Sequence, residues 1–412
     1  MREWLRQPGA WVRGLVVLTF LASFGFVAFA RIDPTGTLRG GGHTDHVAHM
    51  GETRAMLVSP GGLWRQSPNE LFRRLPAERV AALPEDIRAF LRAYPPENYD
   101  APRAYDVPGF PPDRPLVLTW SETPKLYPPG VFVIAAPSAI LHHLGIVSFG
   151  TANRIFLAIL LLAWSLMARS WLDEWTVASP PSRGREIATS VVLAFTWYWA
   201  MEGMYDVVAV CFATWALRAT RKERYGTACL LWGASFMVHS RLLTLAPLFV
   251  LAMVRGLRAW TTTTRSERAR FVAGAGLVGS SLGFAAYIQP SLARVVAVRP
   301  SPPNVVHPTS THAFVLVTYV LFVLILAAVL RWERLRWDAV VVVFAAMAFS
   351  LQRCVAAWYF LPIVAWVMSP PGDRPATGAD SPPAPPWGLA GAASRWALLI
   401  VFYGLSVTVS DP

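Results

Sequence analysis

Apolar residues run through this chain in long blocks rather than in the alternation of a half-buried strand. Blocks that approach or reach the ~20 residues a helix needs to cross a bilayer fall at 14–31, 152–169, 187–200, 207–219, 227–254, 270–289, 313–330, 338–350, 356–369 and 388–408. Several are short and need tilt or shared burial to span. The pattern predicts an all-α polytopic membrane protein. The block 227–254 carries His239-Ser240-Arg241 in its middle, which predicts a hairpin of two short helices rather than one span.

The polar connections set the expected topology. Arg2, Arg6 and Arg13 precede the first block, and Arg collects again at 180–186, 218–226, 255–270 and 331–337. Basic short loops stay on the cytoplasmic side, so the N-terminus is expected inside and Arg31 onward outside. Ala28-Phe29-Ala30 also imitates a signal-peptidase site, which leaves a cleaved signal as the alternative to an anchor. The apolar stretch "PPGVFVIAAPSAILHHLGI" at 128–146 poses a parity problem. A crossing there would turn every later basic loop outward. It is therefore expected as an interfacial helix within a first extracytoplasmic loop, 32–150, that carries short surface helices; Pro128, Pro129, Pro137, His142 and His143 mark it as unlike a span. About eleven transmembrane helices remain, in a range of about ten to twelve.

Composition agrees with this reading and closes off others. The 412 residues are 54% hydrophobic and 15% charged with 18 Trp, too apolar and aromatic for a soluble globular chain of this length. The formal charge of +12 would suit nucleic acid, but in a polytopic chain Arg-rich cytoplasmic loops account for it, and no nucleic-acid partner is expected. Three cysteines, Cys211, Cys229 and Cys354, lie in or beside apolar blocks and imply no disulfide framework. Residues 370–387 form a Pro-rich linker, expected in the cytoplasm. No phosphate-binding Gly-rich loop, dinucleotide fingerprint or HExxH motif occurs.

The unusual polar residues gather in the loops expected outside. "GGHTDHVAHMGETRAM" (41–56) packs three His, two acids and an Arg into sixteen residues; "SETPKLYPPG" (121–130), "MEGMYD" (201–206), "VHSR" (238–241), "NVVHPTSTH" (304–312) and "LQRCVAAWY" (351–359) join it. Ionisable groups at membrane depth are costly and mark function, so an outward-facing site is expected. Asp45, His49 and Glu52 share a helix face at i, i+4 and i+7, with His46 round the side. A carboxylate there suits proton abstraction from a hydroxyl. Two other readings stay open: Thr44 or Asp45 as a helix N-cap, and Asp45, His46, His49 and Glu52 as a divalent-cation site for Mg2+ or Mn2+.

The order of these blocks resembles the GT-C superfamily of membrane glycosyltransferases, especially the branch that uses polyprenyl-phosphate-mannose. The likeness lies in an acidic segment after the first span ("TDHVAHMGETRAML"), a Tyr- and Pro-rich approach to a surface helix ("KLYPPGVF"), and a small acidic turn with a span and a basic loop. A span broken by His-x-Lys/Arg and followed by Pro comes next (His239, Arg241, Pro247), then an aromatic-Tyr-x-x-Pro segment at 356–366. It covers about 60% of the chain in scattered blocks, and their shared order carries it. The resemblance implies hexose transfer with inversion, mannose favoured, from a polyprenyl-phosphate sugar to an acceptor hydroxyl on a glycolipid, glycan or protein. It implies a bacterial inner membrane with the site facing the periplasm. Asp45 would be the base; His239 and Arg241 would hold the departing phosphate, which planar, bidentate Arg suits.

Lys125, Tyr127 and Arg353 are further substrate-binding candidates, as are Glu202 and Asp206 around Gly203, where Asp206 also suits a helix cap. The alternative function is a multi-pass transporter or lipid-linked-sugar flippase, using the same acids and histidines to relay protons or bind a head group.

Overall fold

The computed structural model describes residues 10–29, 53, 56–57, 64, 127–178, 183–239, 245–298, 364–365 and 368. These residues are all-helical, with no strand among them. The helices are α1 (Ala10–Phe29), α2 (Pro129–His143), α3 (Phe149–Ala178), α4 (Arg183–Met201), α5 (Asp206–Arg221), α6 (Tyr225–Val238), α7 (Ala246–Arg258) and α8 (Arg265–Val298). Each coincides with an apolar block, and the block 227–254 does divide, with α6 ending at Val238 before His239. Two helical stretches, Ala10–Phe29 and Gly150–Asp173, are long and apolar enough to cross a membrane. The expected spans at 313–330, 338–350 and 388–408 lie outside the described residues. From 356–369 only Val364, Ala365 and Met368 are described, all buried in the shared core.

Side-chain contacts fix how the helices run. Arg13 pairs with Asp173 at 3.6 Å and Arg154 Nη1 donates to the Ala28 carbonyl at 2.7 Å, so α1 and α3 are antiparallel. Trp11 bonds Glu186 and Trp197 bonds Ser23, so α4 is parallel to α1. The turn between Met201 and Asp206 reverses the chain after α4, so α5 is parallel to α3, and Trp171 donates to Thr214 Oγ1 and Arg218 to Ser170 between them. Ser235 bonds the Ala209 carbonyl, turning α6 antiparallel to α5. Phe236 meets Phe249 at 5.6 Å, and Thr227 meets Glu267, so α6, α7 and α8 run up, down and up. Indole N–H groups usually find partners when buried; Trp164 bonds Leu193 and Thr196 across the α3–α4 seam. Small residues let α6 and α8 approach closely: a Cβ on Gly233 would sit 2.7 Å from the Gly274 carbonyl oxygen.

The register sorts the bundle into two ends. Arg13, Asp173, Glu186, Arg218, Arg224 and Glu267 occupy one. The C-terminus of α1, Arg154, the α4–α5 turn and His239 occupy the other. Because α1 leaves and α3 enters at this second end, residues 30–148 depart from and rejoin the same side of the bundle. α3 also overhangs its neighbour. Thr214 to Asp206 is eight residues of α5, about 12 Å at 1.5 Å each. From Trp171, level with Thr214, back to Phe149 is 22 residues of α3, about 33 Å. The Ser170–Arg218 pair gives a smaller offset, so α3 rises about 14–21 Å past the start of α5.

Candidate functional site

The α4–α5 turn builds the site. α4 ends in a Schellman arrangement: Gly203 N–H donates to Ala200 O at 3.2 Å and Met204 N–H to Trp199 O at 3.0 Å. The arrangement needs a left-handed residue, and Gly203 supplies it at φ 83°. The chain reverses within four residues and Asp206 opens α5. On the facing strand of backbone, α6 stops at Val238 and His239 turns extended at φ −148°, its N–H still held by Ser235 O.

Asp206 and His239 meet across this junction. His239 Nε2 lies 3.1 Å from Asp206 Oδ1, with side chains 5% and 4% exposed. Helix polarity favours both: the carboxylate sits at the N-terminus of α5 and the imidazole at the C-terminus of α6. A carboxylate this close constrains how the imidazole ring can turn.

Aromatic rings wall the pair. Tyr205 stacks on His239 with centroids 5.5 Å apart and 21° between planes, and Tyr127 meets Tyr205 edge-on at 5.3 Å. The start of α2 and the indole of Trp64 hold Tyr127 in place. Gly130, in the first turn of α2, packs against the Met237 carbonyl and the Val238 amide so closely that any Cβ would overlap them. Trp64 donates its indole N–H to the Tyr127 carbonyl at 3.2 Å and packs edge-on against Phe132 and Phe284. The long connection after α1 therefore returns at least one residue to the site. Glu202, in the turn, bonds Tyr198; its Oε2 is buried without a hydrogen-bond partner among the described residues, an acceptor suited to a ligand hydroxyl.

Four candidates from the sequence thus occupy one end of the bundle: Tyr127, Asp206 and His239 in contact through Tyr205, and Glu202 in the turn beside them. Asp45, His46, His49, Glu52, Lys125, Arg241 and Arg353 lie outside the described residues. Among the described residues no three His, Cys, Asp or Glu side chains converge on a metal position. Sequence reasoning missed Tyr205, Gly130 and Trp64. Tyr205 carried a signal, since it stands beside Asp206 inside an acidic turn; Trp64 carried none. No protein-family model matches the chain, and no curated protein or solved structure matches it either.

Proposed function

We propose that this chain is an integral membrane glycosyltransferase of the GT-C type, moving a hexose, mannose favoured, from a polyprenyl-phosphate donor to an acceptor hydroxyl at the outer face. The observation that carries the reading is the buried Asp206–His239 pair, walled by Tyr127 and Tyr205, at the end of the bundle opposite the Arg-rich loops. Membrane placement is supported by α1, whose outward face leaves Leu18 66% and Phe29 88% exposed in a row of large apolar side chains. The Arg-rich loops support an inside N-terminus and an outward-facing site, the apolar blocks support about eleven spans, and the bacterial inner membrane comes from the GT-C resemblance. The return of residues 30–148 to one side favours α2 as a helix that does not cross.

In this reading Asp45 takes the acceptor proton and the hydroxyl oxygen attacks the anomeric carbon with inversion. The bond to the phosphate oxygen breaks, and polyprenyl phosphate leaves as an anion without a general acid. Asp206 is already engaged by His239, so it positions the imidazole, which with Arg241 meets the developing phosphate charge. Glu202 and Tyr127 orient acceptor hydroxyls. No step is assigned to a metal.

The test uses purified protein in detergent, where transport is invisible and transfer is not, with radiolabelled polyprenyl-phosphate-mannose and a crude acceptor lipid extract. Wild-type protein should transfer label. Asp45→Asn should lower turnover by roughly 10²–10⁴-fold while donor binding survives, and His239→Gln should weaken donor binding and turnover together. Failure of the wild type to label any acceptor removes the enzyme and leaves the flippase.

A further inference from the structure

The end of the bundle opposite the site carries nine Lys and Arg against two Glu within residues 218–224 and 255–270, a net +7. The two stretches lie about thirty residues apart in the chain, and the fold makes them one surface. The Gly226 backbone lies directly against that of Glu267. The Glu267 carboxylate accepts from the Thr227 amide at 2.8 Å, the Thr227 hydroxyl at 2.6 Å and Arg270 Nη1 at 2.6 Å, with Arg224 Nε at 3.7 Å. Burial pushes this carboxyl up, but the Thr227 and Arg270 hydrogen bonds and the Arg270 charge outweigh it and hold it below the ordinary glutamate range. Glu267 is thus an anion whose charge is used internally.

What remains outward is mostly basic, with Glu223 the exposed acid of these stretches, and is flanked by apolar side chains. Lys222, Arg224, Arg255, Arg258 and Arg265 are exposed. Trp260 packs edge-on against Phe271 at 5.6 Å, and the Arg268 guanidinium stands 5.9 Å over the Trp260 ring. Directly beside the cations, Leu257 and Val272 are 54% and 60% exposed on the sides of α7 and α8. Guanidinium groups match phosphodiester oxygens, indoles settle at headgroup depth, and exposed Leu and Val suit acyl chains. A soluble anion would use the first of these alone.

We propose that the surface formed by the 222–224 turn and the 255–268 segment is a binding site for an anionic diacyl phospholipid. The phosphate lies among Lys222, Arg265 and Arg268, and the acyl chains lie along Leu257 and Val272. The site rests on the membrane placement above but not on sugar transfer.

The test reconstitutes the full chain into vesicles of phosphatidylcholine alone and of phosphatidylcholine with phosphatidylglycerol. Flotation, the thermal midpoint and co-purifying lipid are measured. Wild-type protein should float with both, retain phosphatidylglycerol through purification and gain thermal midpoint only where it is present. Lys222→Gln/Arg265→Gln/Arg268→Gln should bind phosphatidylglycerol about fivefold more weakly per cation removed, with an unchanged midpoint in phosphatidylcholine. Should that variant fail to fold, Arg255→Gln/Arg258→Gln on the same surface must show the same selective loss. Equal midpoints of the wild type in the two vesicles, or undiminished phosphatidylglycerol retention by a folded variant, overturns the site. Inorganic phosphate matching the phosphatidylglycerol effect would make it a simple anion site. Failure to float with either vesicle removes the membrane placement itself, and the lipid site with it.

Discussion

Three helices end in the same backbone device, and they differ in the residue placed at its left-handed position. α2 and α4 use Gly145 and Gly203 at φ 72° and 83°, while α5 uses Glu223 at φ 57°. The hydrogen bonds at α5 are complete: Glu223 N–H to Thr220 O and Arg224 N–H to Ala219 O. A Cβ in this conformation costs roughly 1–2 kcal/mol, against roughly 0.5–1 kcal/mol for the extra freedom glycine has when unfolded. Glu223→Gly should therefore raise stability by about 0.5–1 kcal/mol, seen as a higher thermal midpoint in detergent, whereas Gly203→Ala should lower it and loosen the Asp206–His239 junction. A midpoint lowered by Glu223→Gly would refute this account of the cap. At this scale the sequence was informative where a polar residue interrupts apolar surroundings: Glu202, Asp206 and His239 stand out for that reason. Tyr127 was singled out by its Pro-flanked segment. Tyr205 could have been picked out by its place beside Asp206, but its stacking on His239 leaves no mark in residue type.

Helices were legible as blocks, and their contacts were not. The break at His239 could be read because a polar triplet within an apolar run has to leave the helix or reach a boundary. The lengths of α3 and α8, 30 and 34 residues, were underread. Backbone hydrogen bonding continues into Arg- and Glu-bearing turns after the apolar pattern stops. Nor does periodicity reveal which glycine meets another helix. Gly130 shows the cost of that blindness, since its missing side chain is what seats α2 on the end of α6. Gly130→Ala should destabilise the fold by about 1–3 kcal/mol through overpacking and displace Tyr127 from Tyr205. Gly276→Ala, with nothing within 4 Å of its Cβ position, is the control and should be neutral or mildly stabilising. Equal effects of the two substitutions would mean that the α2–α6 contact does not seat the site.

For the whole molecule, the segregation of Arg-rich turns from the Asp206–His239 end gives a sided prediction. Cys211 and Cys229 are buried, so in a Cys354→Ser background Ile146→Cys should react in intact cells with an impermeant thiol reagent. Lys222→Cys should react only after the membrane is opened. Both positions are exposed, and labelling of both in intact cells would contradict the topology. The two-ended arrangement was readable in advance because loop charge is written in the sequence. The relative heights of the helices were not, since they arise from side-chain pairs such as Trp171–Thr214 that join distant segments.

Those heights bear on how a substrate would arrive. With α3 rising about 14–21 Å beyond the start of α5, the imidazole of His239 sits well below the tip of α3, which under the proposed membrane placement would bring it within reach of a lipid phosphate. A phosphate carried on a polyprenyl tail could slide laterally to that depth while its tail stays in the hydrocarbon. A water-soluble acceptor, by contrast, has to descend past the α2–α3 hairpin. If the proposed donor is the substrate, its capture is a search in two dimensions, and shortening the polyprenyl tail should weaken it more than altering the sugar does.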